Sequence, residues 1–312
     1  MDSPEHTVMK PGVFLVLLLC FALLFIPGPE TRGDRLLVYL QDFAHVPLFA
    51  VITFLLLSMQ GRRIVNGVWQ SVVAVALSLV IGVIAEFIQP FVGRTAGFRD
   101  VVLGIIGSIA VVCVYGAIRS RSLSAKTVLL GAAVLLVISA VWPMLLIGQD
   151  RRAARRDFSR LASFESQTEF SRWSVNGCRI SRVPDHSTHG HWALKIEVAN
   201  ADNYPGLFES DSLHNLSGIK QLCFDVFVPG ESPVKIWLRL DDRINPVYSD
   251  RFQALRTLFP GTNTLCIERA TLASTPSGRP LDLGRVLSWG IFFDQAKLGE
   301  TLYLDNVRLL TQ

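Results

Sequence analysis

The chain has 312 residues, half of them hydrophobic, and a formal net charge of +4. That is too long for one typical domain and too apolar for an ordinary soluble one. The small positive charge, concentrated in Arg151, Arg152, Arg155, Arg156 and Arg160, excludes the spread-out basic face that a nucleic-acid partner needs.

The apolarity is uneven. Up to residue 148 Val, Leu, Ile and Ala form long runs, whereas from residue 164 short alternating segments and turn residues take over, so a membrane half (1–148), a basic linker (149–163) and a soluble half (164–312) are expected. The first run, Pro11 to Pro27, follows Lys10 and lacks a small-residue cleavage site, as a signal anchor would. With four further runs it predicts five spanning helices, over about 11–27, 40–59, 65–88, 101–118 and 127–147. An amino terminus inside would place Lys10, Arg62, Arg63, Arg119, Arg121 and Lys126 in inner loops and Arg32, Arg35, Arg94 and Arg99 outside, which favours that orientation; the arginines after the last span oppose it.

Polar residues punctuate the ends of these runs. Glu86 and Gln89 are three apart, and Asp100, Gly104 and Gly107 follow at helical spacings, so each set can share a helix face. Asp42, His45, Glu86, Gln89, Arg94 and Asp100 can gather into one polar cluster on one side of the membrane, with Arg94 pairing Glu86 or Asp100. Three readings are open for it. The residues could hold the bundle by interhelical hydrogen bonds, with glycines allowing close approach. They could bind a lipid-linked or envelope ligand, or His45, Glu86 and Asp100 could act as acid/base groups, although no nucleophile or metal triad is evident.

Asp42-Phe-Ala-His45, Glu86-Phe-Ile-Gln89, Arg94, Asp100 and Gly107 at these spacings resemble the VanZ-like family of small bacterial membrane proteins, over roughly residues 10–147. The resemblance implies a place in the cell envelope and no settled activity. Two departures, Gly104 where the family usually has Asn and Phe43 where it often has Lys, remove polar partners.

In the soluble half, alternating segments at 193–198, 221–228, 234–240, 263–267, 289–293 and 301–310, separated by turns such as Pro229-Gly230 and Pro260-Gly261, predict an all-β sandwich. None of the five cysteines forms a Cys-x-x-Cys metal spacing; Cys223 with Cys266 is one disulfide option if this half is exported. Phe164-Glu165, the strand ending at Pro229, the Gly261-Thr-Asn-Thr edge and the closing Leu302-Tyr-Leu-Asp305-Asn-Val-Arg-Leu resemble the galactose-binding-like jelly rolls of carbohydrate-binding modules. The resemblance implies a structural calcium held by Glu165 and Asp305, and no other cofactor. Glycan binding would need an aromatic platform beside planar polar groups. Trp237 and Tyr204 are candidate platforms, and Asp241, Asp242, Arg243, Tyr248, Asp250 and Arg251 form the densest polar set. Trp173, Trp192 and Trp289 read as core, and His186, His189 and His191 as a solvated loop.

The expectation is a multi-pass protein of the bacterial inner membrane, a five-helix bundle joined to a periplasmic or extracellular jelly roll. Its partners would be the lipid bilayer and a polysaccharide or peptidoglycan-related glycan, and it would catalyse nothing itself. Two alternatives stay open: an enzyme acting on a lipid-linked envelope precursor through His45, Glu86 and Asp100, and a non-binding structural scaffold.

Overall fold

The computed structural model describes residues 11–26, 34–59, 67–93, 97–201, 204–211, 215–243 and 246–311. It divides into two compact units, one of Met1–Thr31 with Leu36–Leu145, the other of Arg32–Arg35 with Leu146–Gln312. The helices preceding the sandwich are α1 (Pro11–Leu23), α2 (Arg35–Phe43), α3 (His45–Met59), α4 (Gly67–Ile88), α5 (Phe98–Arg119) and α6 (Leu123–Arg156).

The helix count and bounds differ from the five expected spans. The second expected span is two helices, and Pro47 supplies the reason. A proline ring clashes with the carbonyl four residues before it, here that of Phe43, and α2 ends at that residue. The first helix stops at Leu23 and tightens into i→i+3 bonds through Ile26, the residue that Pro27 biases away from helix. The last helix runs past the expected 127–147 to Arg156, so the first part of the expected linker is helical; Arg155 and Arg156 in the final turn favour the negative end of the helix dipole. Among the described residues, four helical segments are long and apolar enough to cross a membrane: 35–59, 67–92, 98–119 and 123–156.

Small and hydroxylic residues join α3, α4 and α5. Thr53 on α3 shares hydrogen bonds with Ser78 (2.6 Å) and Ser108 (2.8 Å), all buried. The Phe49 ring seats on Gly104 and Gly82, and a Cβ on Gly107 would fall 2.1 Å from the Val46 carbonyl oxygen, so α3 and α5 touch backbone to backbone there.

The second unit is a sandwich of two antiparallel sheets. Its strands are β1 (Arg160–Ala162), β2 (Trp173–Asn176), β3 (Cys178–Val183), β4 (Ala193–Val198), β5 (Gly206–Glu209), β6 (Ile219–Val228), β7 (Val234–Asp241), β8 (Phe252–Leu258), β9 (Gly261–Glu268), β10 (Ser288–Phe293) and β11 (Thr301–Thr311), with short helices α7 (Gln167–Phe170) and α8 (Arg269–Leu272). One sheet has the order β3-β4-β11-β6-β9, with β1 on β11; the other has β2-β5-β10-β7-β8. Position by position these orders pair chain neighbours: β3 with β2, β4 with β5, β11 with β10, β6 with β7 and β9 with β8. That alternation between sheets is the jelly-roll topology. The inward residues, among them Phe164, Phe224, Ile236, Leu238, Trp289, Phe293 and Leu304, form one continuous core. Cys223 and Cys266, directly opposite across β6 and β9, form a disulfide.

Candidate functional site

In the helical unit, three of the expected polar residues meet at the start of α3, the end of α4 and the start of α5. The ligand atoms of His45, Glu86 and Asp100 all lie within 4.8 Å of one another, so the metal-competent triad that the sequence did not reveal is present. His45 Nδ1 lies 2.9 Å from the Asp42 carbonyl oxygen. Because a carbonyl only accepts, Nδ1 carries a proton and Nε2 is the atom turned to Asp100 Oδ2, at 3.7 Å. Glu86 accepts the Gly97 amide at 2.6 Å, which fixes the N-cap residue of α5. Gln89 is fully buried beside these residues; its amide nitrogen donates to the Leu24 carbonyl, while its oxygen has no partner among the described residues. Asp42 is not part of the triad. Its side chain faces Arg99 (3.4 Å), whose guanidinium lies over the Tyr39 ring. Arg94 lies outside the described residues.

The glycan candidates divide into two groups. Along β7, Trp237 and Arg239 alternate with buried Ile236, Leu238 and Leu240, so they lie on the outer face of the five-stranded sheet. Register places Phe292 beside Trp237, and Gly290 between Arg239 and Phe208. A Cβ on Gly206 would meet the Phe292 ring at 2.7 Å, and one on Gly290 would meet the Phe208 side chain at 2.9 Å. The two glycines therefore give the rings room to lie along the sheet. Polar groups hold the row: the Trp237 indole donates to Asp294 (2.9 Å), Asp241 takes the Arg239 guanidinium and the Ser288 hydroxyl, and Arg239 faces the Phe292 ring. Exposed Tyr204 precedes β5 at one end of this face, its carbonyl accepting from Asn176. Exposed Tyr248, with Arg251 over its ring, stands at the other.

The remaining candidates tie a loop together. Asp242 takes both terminal nitrogens of Arg279 (2.6 and 2.7 Å) and the Asp282 amide. Burial raises the Asp242 carboxyl, and these donors more than offset it, leaving it below its ordinary value. Asp250 bridges Arg279 and Arg243. Asp242, Arg243 and Asp250 thus neutralise one another through Arg279, a partner the sequence reading omitted because it lies 37 residues beyond Asp242.

The residues do not fit the expected calcium at Glu165 and Asp305. Glu165 accepts the His191 and Trp192 amides, and Asp305 accepts those of Thr188, His189 and Asn306. The Phe164 and Glu165 carbonyls are taken by the Arg182 guanidinium. A cation would meet N–H dipoles where it needs free oxygens. The two carboxylates instead anchor the 186–192 loop. Within it His186 is not simply solvated, because it stacks on Phe227 with ring centroids 3.6 Å apart.

A second set escaped the sequence altogether. Within the second unit, Asp150 accepts from Arg35 and, through both oxygens, from Arg172, while Asp211 accepts from Arg35 and Arg151, and Arg151 also binds Asp34. Arg151, expected at the membrane surface, is thus one of three arginines balanced by three aspartates.

No protein-family model matches the chain, and no curated protein matches it. Among solved structures, the family 11 carbohydrate-binding module from Clostridium thermocellum, in complex with a β-1,3-1,4-mixed-linked tetrasaccharide, is similar over 49% of this chain and 95% of its own, with 18% identity and a TM-score of 0.38. An exo-β-agarase is similar over 49% of this chain and 25% of its own, with 18% identity and a TM-score of 0.39. The CBM22-1–GH10 modules of Clostridium thermocellum xylanase 10B, complexed with xylohexaose, give 49%, 29%, 12% and 0.33 in the same order. Likeness at this level says nothing of what this chain binds.

Proposed function

We propose that the protein is a multi-pass component of the bacterial inner membrane whose jelly roll, outside the cytoplasm, binds an envelope or extracellular polysaccharide. The observation that carries the reading is the outer face of the five-stranded sheet, where Phe208, Phe292 and Trp237 are flanked by Arg239, Asp241 and Asp294. Sugar rings offer apolar faces for stacking and hydroxyls for planar polar partners, and this face supplies both. The cross-strand disulfide suits an oxidising compartment. The outward-facing apolar side chains of the helices suit a bilayer, and the VanZ-like reading is supported by the gathering of His45, Glu86, Gln89 and Asp100 at one end of the bundle.

The rival enzyme reading draws on the same triad, since a histidine with a fixed tautomer and two carboxylates could move protons on a membrane-bound substrate. Fluorescent polysaccharide probes (mixed-linkage β-glucan, xylan and polygalacturonate) offered to spheroplasts and to inside-out vesicles carrying the full chain test the glycan reading. Binding to spheroplasts is expected, weakened at least about ten-fold by Trp237→Ala or Phe292→Ala, as loss of a stacking aromatic predicts. Binding only to inside-out vesicles would reverse the orientation, and none to either, with the protein folded, would sink the reading.

A further inference from the structure

On the platform described above, one cation is unaccounted for. Arg251 immediately precedes β8 in extended backbone (φ −124°, ψ 152°), and the next residue, Phe252, points into the core. Side chains alternate along extended chain, so Arg251 turns to the outer face, and continuation of the Phe252↔Leu240 register sets it opposite Asp241. Asp241 is already committed to Arg239 and Ser288. The Arg251 Nε is buried with no hydrogen-bond partner, and no carboxylate pairs with this guanidinium among the described residues. Its neighbours are a second guanidinium, an aromatic ring and the Asp241 carboxylate that Arg239 already holds. Burial first, and then the charge of Arg239, lowers its proton affinity from the ordinary arginine value, an effect that Asp241 and Tyr248 offset only in part.

A half-buried guanidinium without an acceptor is costly, and it is costlier beside a like charge. The other arginines around the loop differ. Arg239, Arg243 and Arg279 each hold an aspartate, so the surplus is specific to Arg251. We infer that the platform is built for an acidic polysaccharide, with a uronic-acid carboxylate received by Arg251 beside Arg239 while neighbouring sugar rings lie on Phe292 and Trp237. A planar carboxylate matches the guanidinium fork in two parallel hydrogen bonds, which an isolated sugar hydroxyl cannot do. Tyr248, over whose ring Arg251 lies, closes the same end of the face.

This inference rests on the glycan reading of the sheet, and its test separates the two. The full chain in lipid nanodiscs is titrated with polygalacturonate, with the same polymer fully methyl-esterified, and with mixed-linkage β-glucan. Polygalacturonate should bind at least about ten-fold more tightly than its ester, since esterification removes the charge that the guanidinium fork receives. Arg251→Gln should bring that ratio toward one, while Arg251→Lys, which keeps the charge but not the fork, should retain part of it. Equal affinity of the wild-type chain for polymer and ester overturns the inference and leaves the glycan reading standing, as does a preference for β-glucan. Dextran sulfate binding as tightly as polygalacturonate overturns the carboxylate assignment. Failure of every probe removes both. The wild-type ratio decides the matter even if a variant does not fold.

Discussion

In the helical unit many large apolar side chains face away from the protein, with Phe87, Phe91 and Leu135 74%, 89% and 68% exposed, whereas the polar Thr53, Gln70, Ser78, Gln89, Ser108 and Asp100 are buried. In the sandwich the arrangement reverses. Leucine, isoleucine, valine and phenylalanine fill the space between the sheets, and the polar residues of β7 to β9 alternate outward. The difference is the one that two solvents would impose, and it is the ground of the proposal that the helical unit sits in a bilayer. In water, apolar burial drives the packing at roughly 25 cal/mol per Å², and a polar rim costs little. In the hydrocarbon proposed for the helical unit that drive between helices would vanish, and hydroxyl pairs such as Thr53 with Ser78, and glycines such as Gly107, would become the means of association.

The clearest exception lies in the second unit, where Asp150 and Arg172 are buried charges in a water-facing architecture. Removing one member of such a set leaves its partners unpaired, so Asp150→Ala should destabilise the second unit by about 3–5 kcal/mol in denaturant unfolding. An unchanged midpoint would mean that the cluster is not part of the unit's stability.

The contrast in solvent predicts a pair of unequal effects from one kind of substitution. Leu135→Lys, in the middle of α6, should cost about 2.5–3.5 kcal/mol of membrane integration, read as the fraction of chains recovered in membranes. Thr257→Lys, on the outer side of β8, should change unfolding by no more than about 0.5 kcal/mol. Were Leu135→Lys equally silent, the bilayer reading of the helical unit would be broken.

A third loss, smaller than those of Asp150→Ala and Leu135→Lys, concerns pH. Asp242 is held below its ordinary value once Arg279 and the Asp282 amide have offset burial, and Asp225 likewise once Asn306, Thr264, Thr188 and Arg308 have done so. A carboxyl depressed in the folded state stabilises above its unfolded value, near 3.9, and that contribution is lost as pH falls through the folded value. Asp242→Asn should therefore cost about 2 kcal/mol at pH 7, and the gap from wild type should close below about pH 4. Burial raises Asp305 and Glu169 instead, so their contribution is fully present below the unfolded value and is lost as pH rises through the folded one; they soften the acid loss. A gap that does not narrow at all as pH falls below about 4 would show that the amide's shape, not the charge, carries the effect.

How far the sequence reached depended on whether a feature was local. Hydropathy runs located α4 and α5 within a few residues, and alternation found β4, β6, β7, β9, β10 and β11, because both patterns are written in neighbouring residues. The strands β2 and β5 are only four residues long, too short to alternate, so Phe208 went unnoticed as a platform residue. The break ahead of α3 comes from Pro47, whose ring excludes the Phe43 carbonyl four residues before it.

Composition and periodicity alone determined that this chain has an apolar helical part and a β-sandwich part, since burial in lipid or in a two-sheet core each imposes its own repeat on the residues in order. Only the tertiary structure decided which polar residues act together. His45 meets Asp100, Asp150 meets Arg35 and Arg172, and Arg239 and Trp237 meet Phe292, across separations that no local repeat encodes. Sheet register and helix packing bring them together, and those are properties of the whole fold. The same register set Arg251 opposite Asp241, a carboxylate that Arg239 and Ser288 already hold, so among the described residues its guanidinium has no ion pair.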